Sequence, residues 1–171
     1  MDENAVNAKT WKPTWKDIAL MGLLGILFVG LIVVCVLYYN WSNVDSILYL
    51  GWSIFFISLV LMSIMRREFI KKGESKGGRW LNTTKVVDTG IYSIIRHPQY
   101  LSFILVIIAL ILISHHWLSP ILGIPIICYL YWCMKWEEQG NIEKFGEEYR
   151  KYMERVPRAN FIVGMIRLAR C

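Results

Sequence analysis

Two stretches of this chain, Ile18 to Tyr39 and Ser46 to Met65, contain no Asp, Glu, Lys or Arg. Each has the roughly 20 residues that a helix rising about 1.5 Å per residue needs to cross a hydrocarbon core of about 30 Å. Only a helix or a closed barrel satisfies its backbone polar groups there, so both are predicted to be transmembrane helices. A third charge-free run, Pro98 to Met134, is too long for one span. The segment His115-His116-Trp117-Leu118-Ser119-Pro120 breaks it with polar and helix-stopping residues, and the run reads as an antiparallel hairpin of two short helices. With 56% hydrophobic residues and 8 tryptophans among 171, and a mean hydropathy of +0.41, the chain carries more apolar surface than one small soluble core buries. The expected fold class is all-α. It is a polytopic bundle of about four transmembrane helices, followed by amphipathic helices at the C-terminal end.

The 19 basic residues follow the membrane boundary. Three precede the first span (Lys9, Lys12, Lys16), a further group lies between Arg66 and Arg96, and the remainder starts at Lys135. The other two connections have none. By the positive-inside rule both termini and the 66–97 loop face the cytoplasm. The organisation read from this is one membrane domain: a lead over 1–16, two transmembrane helices in 17–65, a basic loop in 66–97, the hairpin in 98–134 and a cytoplasmic segment in 135–171. The net charge of +6 then reads as adhesion to lipid headgroups, and nucleic acid is excluded as a partner because the charge tracks the bilayer. The first apolar run is too long for a signal-peptide core and lacks a clear small-residue cleavage site, so it is expected to remain in the mature chain. Cys35, Cys128 and Cys133 lie in apolar runs and Cys171 at the end, a spacing that suggests neither metal site nor disulfide framework. Asn40-Trp41-Ser42 and Asn82-Thr83-Thr84 match the glycosylation pattern by chance, one abutting the membrane and the other on the cytoplasmic side.

The hairpin carries a geometric consequence. His97 lies twenty residues before Trp117, at the turn, and Glu137 twenty after it. Two antiparallel arms of equal length return both to the same depth, so His97, Tyr100, Glu137 and Glu138 can share one pocket at the cytoplasmic boundary. Each residue taken singly also fits a plainer role, an aromatic anchor or a solvated helix end. After Glu138 the apolar residues Ile142, Phe145, Tyr149, Tyr152, Met153 and Val156 recur at spacings of three and four. They predict an amphipathic helix over the mouth of the hairpin, with Phe161 to Leu168 as a second membrane-surface segment.

The block Gly90-Ile91-Tyr92, then Arg96-His97-Pro98-Gln99-Tyr100, a hairpin, Glu137-Glu138, Phe145-Gly146-Glu147-Glu148-Tyr149, Tyr152 and Arg155-Val156-Pro157 resembles the isoprenylcysteine carboxyl methyltransferase family and its phospholipid methyltransferase relatives. The resemblance covers roughly Val86 to Ile162 and leaves the first two helices without a family motif. It implies methyl transfer from S-adenosyl-L-methionine to a lipophilic acceptor, with the cofactor at the cytoplasmic end of the bundle. The cofactor contacts it implies are Thr84, Lys85, Val86, Val87, Tyr92, His97, Pro98, Gln99, Tyr100 and Glu137. Glu137 would pair with the methionyl ammonium, while His97 and main-chain donors would take the carboxylate. Glu138, Tyr149 and Arg158 are the further catalytic candidates, for orienting the acceptor or closing the pocket; no metal is implied.

One departure bears on the acceptor. The prenylcysteine enzymes carry an arginine four residues before the cofactor-binding glutamate, suited to clamp the substrate carboxylate bidentately, and here that position is Cys133. A prenylcysteine carboxylate is therefore in doubt, whereas a lipid amine, another hydrophobic carboxylate or a small apolar thiol stays open. Two other functions stay open as well: an NADPH-dependent sterol-type reductase, whose C-terminal helical architecture is related, and a non-catalytic membrane scaffold.

Overall fold

The computed structural model describes residues 14–72 and 86–169, and among these every regular element is helical. Helix α1 (Trp15–Leu37) opens on a reciprocal capping box, in which the Asp17 carboxylate accepts from the Thr14 amide at 2.8 Å while the Thr14 hydroxyl oxygen accepts from the Asp17 amide. Helix α2 (Asp45–Lys72) continues past the charge-free run that defines it in the sequence. A 3₁₀ turn at Gly90–Ser93 leads into α3 (Pro98–Ser114), α4 (Leu118–Phe145), α5 (Glu147–Arg155) and α6 (Phe161–Leu168).

Among the described residues, three helices are long and apolar enough to cross a membrane: Asp17–Leu37 within α1, Asp45–Glu68 within α2, and α4. The 17 residues of α3 form a shorter apolar helix that spans about 25 Å at the usual helical rise. Of the two hairpin arms, α3 is short and α4 is not. Lys135, Glu137 and Glu138 end the apolar run without supplying a helix stop, so α4 continues beyond Met134 to Phe145. The stop is Gly146, whose φ of +60° is a conformation glycine adopts without steric cost. The same residue divides the single amphipathic helix expected from Ile142 to Val156 into the end of α4 and all of α5.

Helix α3 touches α1, α2 and α4, and its largest contact is with α2. Gly51 explains how closely these two approach: a Cβ there would sit 2.9 Å from the Ile113 side chain and 3.2 Å from the Ala109 carbonyl oxygen. Gly51→Ala is expected to destabilise the bundle by about 1–3 kcal/mol through overpacking, seen as a lower melting temperature in detergent. Gly22→Ala, with nothing within 4 Å of the added carbon, is expected not to lower it. The outward faces of α1 and α2 remain apolar and open, with Ile26 69%, Val36 71% and Phe56 60% exposed, a surface suited to lipid rather than water.

At one end of the bundle, His115 takes a φ of +48° to close α3, and His116 stacks on Tyr38 with ring centroids 4.0 Å apart. The amides of Asn40 and Trp41 donate to the carbonyls of Ile113 and Ser114. These bonds tie the α1–α2 connection to the hairpin turn. At the other end lie the Gly90–Tyr100 segment, the polar half of α4, and α5.

Candidate active site

The approach to α3 is held from both sides. Ile91, Tyr92 and Ile95 bury against Met65 of α2, and Gly90, at φ +62°, passes so near Glu68 that a Cβ would meet its carboxyl carbon at 2.8 Å. On the other side, the amides of Arg96 and His97 donate to the carbonyls of Pro157 and Arg158, both at 3.0 Å. His97 then caps α3, with Pro98 in the first turn where its missing N–H costs nothing. Helix α5 completes the frame: Tyr149, Tyr152 and Val156 form a buried cluster, and the Tyr152 hydroxyl donates to the Tyr92 carbonyl at 2.7 Å. Burial pushes the Tyr152 hydroxyl far above the usual phenol range, so it stays a donor.

These backbone bonds bring Arg96, His97 and Arg158 onto one carboxylate. Glu138 is buried, its side chain 4% exposed. Arg158 grips it as a fork, Nε donating to Oε1 at 2.9 Å and Nη2 to Oε2. The Arg96 Nη1 lies 3.0 Å from Oε1 and the His97 Nε2 3.3 Å from the same oxygen. Arg158 also donates from Nη1 to the Tyr131 hydroxyl at 3.1 Å, with its guanidinium over the Tyr131 ring. The carboxylate beside it keeps the Arg158 guanidinium above its already high range, hence always cationic.

Glu137 faces elsewhere. Successive residues of a helix are rotated by about 100°, so Tyr131, Met134 and Glu138 share one side of α4 while Tyr129, Cys133 and Glu137 share another. Glu137 is exposed and lies close enough to Tyr92 and Tyr100 to act on both hydroxyls. Burial first, and the Glu137 charge second, raise the Tyr92 hydroxyl well above its ordinary range. The His97 and Tyr100 rings meet edge to face with centroids 5.6 Å apart, linking the two sides across α3. Tyr149 sits nearby, raised by burial and lowered in part by a bond with Asn141, with Glu138 and Arg96 also acting on it.

The sequence profile of the phospholipid methyltransferases matches residues 46–148, more than half of the chain. The chain belongs to the phospholipid methyltransferase family. A relative, the methanethiol S-methyltransferase of Pseudomonas deceptionensis, is 22% identical over 178 residues, which cover 86% of this chain and 63% of the relative. The chain therefore spans less than two thirds of the length of the curated relative it matches. No solved structure matches it.

The family match takes in α2, the Arg96-His97-Pro98 segment, α3 and α4, and ends at Glu148, so Tyr149 and Arg158 lie outside it. Of the candidate residues read from the sequence, the structure gathers Tyr92, His97, Pro98, Tyr100, Glu137, Glu138, Tyr149 and Arg158 at one end of the bundle. Gln99 is half-buried in the first turn of α3. Val86 and Val87 pack into apolar clusters beside α5 and the 3₁₀ turn. Thr84 and Lys85 lie outside the described residues. The sequence reading gave no role to Arg96 or Tyr131. An arginine abutting a half-buried helix start is a signal for the first; the contact of Tyr131 with Arg158 spans 27 positions of sequence and leaves no local signal. An apolar groove of about 780 Å³ lies between α2, α3 and the start of α6, and Ala159 and Asn160, next in chain to Arg158, help to line it.

Proposed function

We propose that the protein is an integral membrane methyltransferase that uses S-adenosyl-L-methionine and methylates a lipophilic acceptor at the cytoplasmic boundary of the bilayer. The observation that carries this reading is the meeting of two motif blocks, Arg96-His97-Pro98 and Glu137-Glu138, at one end of the α3–α4 pair in a chain of the phospholipid methyltransferase family. The donor set suits the cofactor. An exposed carboxylate beside two tyrosines, Glu137 with Tyr92 and Tyr100, has the charge an ammonium needs, and an aromatic face near a sulfonium gains about 0.5–2 kcal/mol. When bound, the cofactor supplies a methyl group on a positively charged sulfur to the lone pair of an acceptor. The protein's part is positioning: Glu138 holds His97 and Arg158 in place, Tyr152 locks the Tyr92 backbone, and α5 closes the pocket with Tyr149.

The groove beside Arg158 supports an acceptor with an apolar part arriving from the membrane. Cys133, where a clamping arginine would stand, argues against a prenylcysteine carboxylate, and a relative named for methanethiol keeps small thiols among the acceptors. The test is transfer from methyl-labelled S-adenosyl-L-methionine by detergent-purified protein to three acceptors: a membrane lipid extract, N-acetyl-farnesylcysteine and a small alkanethiol. Label is expected in the lipid or thiol product, with little in the farnesylcysteine ester. Folded protein that labels none of the three would count against the reading.

A further inference from the structure

Helix α6 has only 8 residues, too few to hold a helix together unaided, and its position is set by local contacts. The Asn160 side-chain oxygen accepts from the Val163 amide at 3.1 Å, and Arg167 Nη1 donates to the Glu154 carbonyl at 3.0 Å. Gly164 is buried on the Ile94 backbone. A Cβ there would collide with the Ile94 carbonyl oxygen and lie 2.9 Å from its carbon, so glycine is what lets α6 sit this low. Ile94 is also part of the lining of the apolar groove, together with Ile57 and Ile64 of α2, Leu105 of α3, and Phe161 and Ile162 at the start of α6. The seat of Gly164 on Ile94 therefore fixes how far Phe161 and Ile162 stand from α2.

The groove lies in the last turns of the charge-free run of α2, before Arg66. From Ile57 to Ile64 it follows that helix for about 10 Å at the usual rise. Both residues are exposed, so the groove is continuous with the lipid-facing surface. Among the described residues its lining is apolar apart from Asn160, whose side-chain oxygen is taken by the α6 cap, and such a lining favours hydrocarbon over water. It ends at Ala159, next in chain to Arg158, which grips Glu138. A chain lying in the groove is thus led toward the meeting point of the two motif blocks. We infer that α6 is a specificity element: Phe161, Ile162 and the seat of Gly164 hold the hydrocarbon chain of the acceptor against α2 and select chain-bearing acceptors over small ones. The inference rests on the methyltransferase reading and deepens it. Contacts remote from the reacting atom contribute by orienting it, and a small alkanethiol lacks the length to make them.

The test compares the detergent-purified full chain with Gly164→Val, which lifts α6 off Ile94, and Leu105→Trp, which fills the groove without touching α6; each is first checked by thermal melting. Groove occupancy is read by photo-crosslinking with hexadecanol carrying a terminal diazirine, and turnover by methyl transfer to a membrane lipid extract and to ethanethiol. Crosslinks are expected to concentrate on peptides holding residues 57–64 and 161–162, and both variants to cut that labelling at least fivefold. Both are also expected to raise the KM for the lipid acceptor at least tenfold while binding S-adenosylhomocysteine as wild type does. Labelling spread evenly over the lipid-facing helices overturns the inference, as does a wild type that methylates ethanethiol and no lipid. Groove labelling with unchanged lipid methylation in both folded variants makes the occupant an ordinary bilayer lipid and overturns it too. A wild type that binds no S-adenosylhomocysteine and methylates nothing defeats the methyltransferase reading, and the acceptor with it; the crosslinks then show separately whether the groove takes a chain.

Discussion

Glu138→Ala is expected to destabilise the bundle by about 3–5 kcal/mol, the cost of leaving buried charges without their partner. The variant strands Arg96 and the fork of Arg158 and frees the ring of His97, three groups that converge on one carboxylate. The damage spreads through the backbone, because Arg96 and His97 also carry the two bonds that hold the 157–158 segment in place. In thermal melts in detergent the variant is expected to unfold many degrees below wild type. Glu138→Gln, which keeps the shape and some hydrogen bonds but loses the charge, is expected to fall between. A Glu138→Ala protein as stable as wild type would show that the cluster does not hold this end together.

Glu137→Gln is expected to do the reverse. The residue is exposed on another face of α4, so its replacement should change stability by no more than about 0.5 kcal/mol. If Glu137 pairs with the ammonium of the methyl donor, the loss of a charged hydrogen bond, about 1.5–3 kcal/mol, weakens S-adenosylhomocysteine binding by roughly ten- to a hundredfold. Two adjacent glutamates would thus separate cleanly, one by melting temperature and the other by affinity. Equal affinity of Glu137→Gln and wild type would remove Glu137 from the cofactor site.

Depth is legible in the sequence and azimuth is not. The runs without charge mark α1 and α2 because hydrocarbon excludes ionised groups, and equal spacing about Trp117 puts His97 and Glu137 at one level. Which of two neighbouring glutamates turns toward His97 depends on a rotation of about 100° per residue, which depth leaves free. The length of α4 was hidden for a related reason: a change from apolar to charged residues ends a membrane run without ending a helix, and the stop came from the backbone of Gly146. Arg158 reaches the cluster through the Pro157 and Arg158 carbonyls, which bond to a segment some sixty residues earlier, and no local pattern encodes such a pairing. The sequence offered Arg158 as a candidate without a partner; the partner, Glu138, came from the fold.

The most direct measurement is calorimetric titration of folded, detergent-purified protein with S-adenosyl-L-methionine, S-adenosylhomocysteine and NADPH. The expected result is saturable binding of the first two and none of NADPH. Binding of NADPH alone would make the protein a reductase built on the same helical frame, and silence from all three would contradict a cofactor site at this end of the bundle.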